Sequence, residues 1–105
     1  FIEKFSLEAA RDFRDNSLDF VYIDANHDFR HATEDIDEWL KKIRPGGIIS
    51  GHDYARHKGN ARIHVVDVVN GYTRCWKIAP WFILGTNAEI PGQIRDGVRS
   101  WMWVK

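Results

Sequence analysis

Twice in this chain a short apolar run stops at an acid, and one amphipathic stretch separates the two runs. The first is LDFVYID, residues 18–24, and the second is IISGHD, residues 48–53. Residues 18–23 are rich in β-branched and aromatic side chains and nearly continuous in apolarity, as a strand buried on both faces should be. Between the runs, Phe29, Ala32, Ile36, Leu40 and Ile43 recur at helical spacing. Along that stretch the acids Glu34, Asp35, Asp37 and Glu38 precede the bases Lys41 and Lys42, the order that suits a helix macrodipole. A strand, a crossover helix and a second strand make a parallel pair of neighbours.

The flanking segments extend this alternation. FIEKF, residues 1–5, reads as the end of a strand, and Ser6 as the N-cap of a helix over LEAARDF with Glu8 in its first turn. RDNS breaks that helix, and RPGG, residues 44–47, reads as the stop between the second helix and a short IIS strand. IHVVDVVNGY, residues 63–72, has the propensity of a strand, but the spacing of Ile63, Val66 and Val69 favours a third helix, with Gly71 as its stop. WFILGT, residues 81–86, and SWMWVK, residues 100–105, read as strands that pair as a final antiparallel hairpin. Trp81, Phe82, Leu84, Trp101 and Trp103 are expected to be held by packing. The order (β)αβαβαββ defines an α/β fold with a mostly parallel sheet, and 105 residues suffice for one domain and not two.

Composition excludes several functions. Fifteen basic and fifteen acidic residues cancel, so no electrostatic grip on nucleic acid or on an anionic membrane is expected. No apolar run approaches the roughly 20 residues of a membrane span. The single Cys75 cannot form an internal disulfide, which fits a reducing, cytoplasmic compartment.

The chemistry gathers at the strand ends, because open α/β sheets bind ligands beyond the carboxyl ends of their strands. Asp24 and Asp53 each follow an apolar strand directly, and adjacent strands lie about 4.8 Å apart. Both carboxylates are therefore expected to face one site and share a hard cation, with His27 and His52 close by. Two carboxylates held that close repel, so a cation or a proton belongs between them. Acids at strand ends also serve simply to cap the following helix, an alternative role for Asp28 and for Asp24. His31, His57 and His64 read as solvent-exposed. The chain has no glycine-rich phosphate loop, nucleophile elbow or CxxC pair.

The stretch SLDFVYIDANHDFRHATEDIDEWLKKIRPGGIISGHDY resembles the second half of class I S-adenosylmethionine-dependent methyltransferases. It is most similar to the metal-assisted O-methyltransferases and the macrocin-type sugar methyltransferases. The resemblance implies the Rossmann-like methyltransferase sheet with strand order 3-2-1-4-5-7-6, of which this chain holds the part from the end of the third strand onward. It implies S-adenosylmethionine as cofactor and Mg2+ or another divalent cation. Ser6 falls where the family contacts the adenine, with Phe5 beside it, although Lys4 replaces the glycine usual there. Asp24 and Asp53 match the family's metal ligands, and His52, where relatives carry a carboxylate or another residue, is the third candidate ligand. His27 matches the position of the general base, and Tyr54 replaces the asparagine ligand of catechol-type relatives. The glycine-rich loop, the first strand and the ribose-binding acid are expected N-terminal to Phe1.

The implied reaction is O-methylation of a small-molecule or sugar hydroxyl, with residues 54–62 and 87–99 as walls for the acceptor. A metal-dependent hydrolase using the same Asp/His cluster is the alternative, and a non-catalytic truncated remnant is another. With its central strands absent, the chain is expected to expose a strand edge and to form homo-oligomers through it.

Overall fold

A computed structural model describes residues 6–24, 27–55, 63–85, 91–92 and 98–105. The elements are α1 (Ser6–Ala10), β1 (Leu18–Ile23), α2 (Phe29–Lys42), β2 (Ile43–Gly51), α3 (Val65–Cys75), β3 (Trp81–Leu84) and β4 (Ser100–Val104). They form a four-stranded sheet in the order β1-β2-β4-β3. β1 and β2 run parallel, whereas β4 is antiparallel to both β2 and β3. That order agrees with the 4-5-7-6 run that the resemblance implies, and the expected α/β architecture is present. The opening FIEKF strand, and Phe5 with it, lies outside the described residues.

Register positions the two acids. Ile23 pairs with Gly51, and the His52 N–H continues the ladder to the Ile23 carbonyl at 3.1 Å. Asp24 therefore leaves the sheet level with His52, with Asp53 one residue further on.

The core lies between one face of the sheet and the helices. Ala32 and Ile36 of α2 and Val65, Val68 and Val69 of α3 pack on Ile49, Trp101 and Trp103. Gly51 is needed here, because a Cβ would stand 2.5 Å from the Trp101 ring. Among the described residues, no helix covers the opposite face. It carries Phe20, Tyr22, Phe82, Leu84 and Val104, each between 43% and 55% exposed.

Four expectations are corrected. β1 is not buried on both faces: Val21 and Ile23 pack inward, but Phe20 and Tyr22 face solvent. Phe82 and Leu84 are likewise exposed and not held by packing, because they fall on the outward register of β3, whereas Trp81 packs on the core and Trp101 and Trp103 are buried. RPGG is part of β2, with an irregular register opposite residues 18–20 and with Gly46 and Gly47 bonded to the backbone of Lys105. Gly71 does not stop α3. The helix continues to Cys75, and Lys77, in the left-handed region at φ 53°, ends the turn that follows.

Candidate functional site

The site begins where β1 hands over to α2. Asp28 is the α2 N-cap: its carboxylate accepts the His31 backbone N–H at 3.0 Å and faces the His31 ring Nδ1 at 2.7 Å. The bond from the His31 backbone holds the Asp28 carboxyl below the usual carboxylate range, against a smaller opposing effect of burial. Capping is thus what Asp28 does here.

α3 clamps the same turn from the other side. The His64 N–H donates to the His27 carbonyl at 2.7 Å, and the Phe29 N–H donates to Nδ1 of the His64 ring at 3.0 Å. His64 is therefore a half-buried strut, not the exposed side chain expected from sequence. No local pattern marks it, because its partners lie on a different helix. His31 is exposed as expected, and His57 falls outside the described residues.

Asp53 arrives from β2 in the left-handed region, φ 60°, which short polar side chains tolerate better than most. The residue after it anchors the turn. Tyr54 is buried at 7% exposure, its N–H donates to the Arg99 carbonyl at 2.9 Å, and its hydroxyl donates to Asn70 at 2.7 Å. The Arg99 guanidinium also lies over the Tyr54 ring, 5.6 Å from its centre. Tyr54 is a core residue whose hydroxyl donates to α3, and it serves as a packing anchor.

Three donors converge. Nε2 of His27 lies 2.5 Å from Oδ2 of Asp53 and 3.9 Å from Oδ1 of Asp24. The ligand atoms of Asp24, His27 and Asp53 all fall within 4.8 Å of one another. His52 stands beside Asp53, its Nδ1 3.4 Å from Oδ2, but is not one of the converging three. Exposure grades across the site: the Asp24 side chain is 60% exposed, that of His27 34% and that of Asp53 15%. The inner wall, formed by Ile23, Ile36 and Trp101 with His27 and His52, encloses a void of only about 20 Å³.

On the other side of Asp24 a groove of about 410 Å³ runs along the free edge of β1, lined by Ser6, Phe13, Tyr22 and Trp39 among others. Ser6 and Asp24 thus share one groove. The Ser6 hydroxyl accepts the Trp39 indole N–H at 2.7 Å, and it also bonds Asp35, a nearly buried carboxyl that sequence reading treated as part of a solvated helix face.

A four-stranded mixed sheet in this order, with acids at its strand ends, matches a Rossmann-like methyltransferase fold. Residues 1–54 match the methyltransferase domain family, and the chain belongs to that family. No curated protein matches it. Among solved structures it is similar to the O-methyltransferase from Bacillus cereus in complex with SAH, at 22% identity and a TM-score of 0.56. The likeness is one of fold, and it covers 95% of this chain but 46% of that one, so this chain spans about half of that protein's length.

Proposed function

We propose that this chain carries the acceptor end of an S-adenosylmethionine-dependent O-methyltransferase that uses a divalent cation. The observation that supports this reading is the convergence of Asp24, His27 and Asp53 at the carboxyl ends of two parallel strands, in a chain of the methyltransferase domain family. Whether these residues suit a cation can be judged from the donors themselves. Two carboxylates and one imidazole nitrogen meet, and that nitrogen is buried without a hydrogen-bond partner. The set fits a divalent ion.

Asp24 and Asp53 would hold the ion. When bound, it would act as a Lewis acid and lower the pKa of an adjacent hydroxyl. The 60% exposure of Asp24 leaves the solvent side of the cluster open for a small hydroxylated acceptor. Nε2 of His27 stands within reach of both, so the imidazole either takes the hydroxyl proton or joins the cation. Ser6, in the groove shared with Asp24, would sit against the adenine of the cofactor. In-line attack on the methyl group needs little chemistry from the protein beyond positioning. The hydrolase alternative leaves the family membership and the sheet order without a purpose.

The test is methyl transfer from labelled S-adenosylmethionine to a panel of catechols and sugars, with and without EDTA. Transfer should require a divalent cation and should fall by about 100-fold or more in Asp53→Asn, the more buried of the two carboxylates. Transfer that is indifferent to EDTA, or intact in Asp53→Asn, would refute the cation-assisted reading.

A further inference from the structure

The convergence turns on one atom. Nε2 of His27 is buried, faces Asp53 at 2.5 Å and Asp24 at 3.9 Å, and yet makes no hydrogen bond. An imidazole nitrogen that only needed a carboxylate partner would align with one of the two. This one meets neither with hydrogen-bond geometry. Donors that share a first-row ion at about 2.1 Å sit roughly 3–4 Å from one another; the Asp24 distance falls in that range, and the Asp53 contact is shorter.

The ring is also delivered by a turn with little freedom. The His27 carbonyl is bonded by the His64 N–H, the next residue caps α2, and the residue after that is bonded to the His64 ring. A ring fixed in place suits a metal ligand, whose orientation its outer contacts set. His52 has no such clamp among the described residues beyond the ladder bond of its own N–H.

We propose that Nε2 of His27 is a ligand to the cation together with Asp24 and Asp53, making a site of two carboxylates and one imidazole. Such a site selects Mn2+, Fe2+, Co2+ or Zn2+ over Mg2+, because imidazole nitrogen suits first-row transition ions while Mg2+ and Ca2+ are held by oxygen. In the cation-loaded protein the proton of the acceptor hydroxyl then leaves to another base or to water, and His27 does not take it. The proposal rests on the cation-assisted reading above and deepens it.

The experiment is metal binding by the chain itself, without substrate or cofactor. Mn2+ and Mg2+ are titrated by calorimetry, and the Mn2+ complex is examined by electron spin-echo spectroscopy for coupling to 14N. The wild type should bind Mn2+ at least about tenfold more tightly than Mg2+ and should show one imidazole nitrogen. His27→Asn, which replaces nitrogen by an amide oxygen, should lose the 14N coupling and most of the preference for Mn2+ while still binding Mg2+. Circular dichroism shows whether each variant keeps its fold. If His27→Asn unfolds, His52→Ala decides: it should leave the 14N coupling in place, and loss of coupling there moves the ligand to His52 and overturns the proposal. Equal affinity for the two ions with no nitrogen coupling overturns it too, while leaving a cation site of oxygen donors. If neither ion binds, the cation-assisted reading fails and this inference fails with it.

Discussion

Asp35 is the residue most at odds with its place. It is 3% exposed, and its Oδ2 has no hydrogen-bond partner among the described residues. Burial pushes its carboxyl above the ordinary range; the bond to Ser6 and the charge of His31 oppose this, and Glu34 and Asp28 add to it. A carboxyl whose folded pKa is raised lends stability that is complete below its unfolded value and is lost as pH rises through the folded value. Asp35→Asn keeps a partner for Ser6 and removes the ionisation. Relative to wild type it should gain on the order of 1 kcal/mol on going from pH 4 to pH 8, the scale of one buried unpaired acceptor. Urea midpoints at the two pH values give the answer, and a gap between the proteins that does not change with pH would contradict it.

At the scale of the element, the β3–β4 hairpin shows how unevenly adjacent side chains are used. Trp81 pairs with Trp103 and Phe82 with Met102, so inward and outward positions alternate along both strands. Trp103 is 1% exposed and stacks on Tyr72 of α3, with ring centres 5.8 Å apart, while Phe82 is 46% exposed. Trp103→Ala should cost about 3–5 kcal/mol, because it empties a site that helices and sheet enclose. Phe82→Ala should cost less than about 1 kcal/mol, because its ring is already half in water. Chemical denaturation measures both, and comparable losses would mean that something covers the outer face. The SWMWV alternation made the inward tryptophans of β4 legible in the sequence. WFIL is apolar throughout, and a run without alternation does not reveal which side faces water.

For the molecule as a whole, the consequence is a sheet with helices on one face and apolar side chains on the other. The outer edge of β1 has no strand partner among the described residues, and Phe20, Tyr22, Phe82 and Leu84 stand exposed beside it or across the same face. A free edge next to an apolar face favours association. Sedimentation should find this 105-residue chain larger than one copy at tens of micromolar, and Tyr22→Lys with Phe82→Lys should return it towards a monomer. A wild type that stays monomeric throughout would end the expectation of self-association. The sequence by itself determined the order of strands and helices, the parallel pair and the delivery of Asp24 and Asp53 to one end of the sheet. All of these follow from local periodicity and from the short reach of a crossover. It also offered two histidines, His27 and His52, each close to an acid. Only the tertiary structure decided between them, because a side chain's aim depends on backbone geometry and on distant supports. The left-handed turn at Asp53 and the clamp that His64, the α3 N-cap, places on the α2 start accompany the grouping of Nε2 of His27, and not His52, with the two carboxylates.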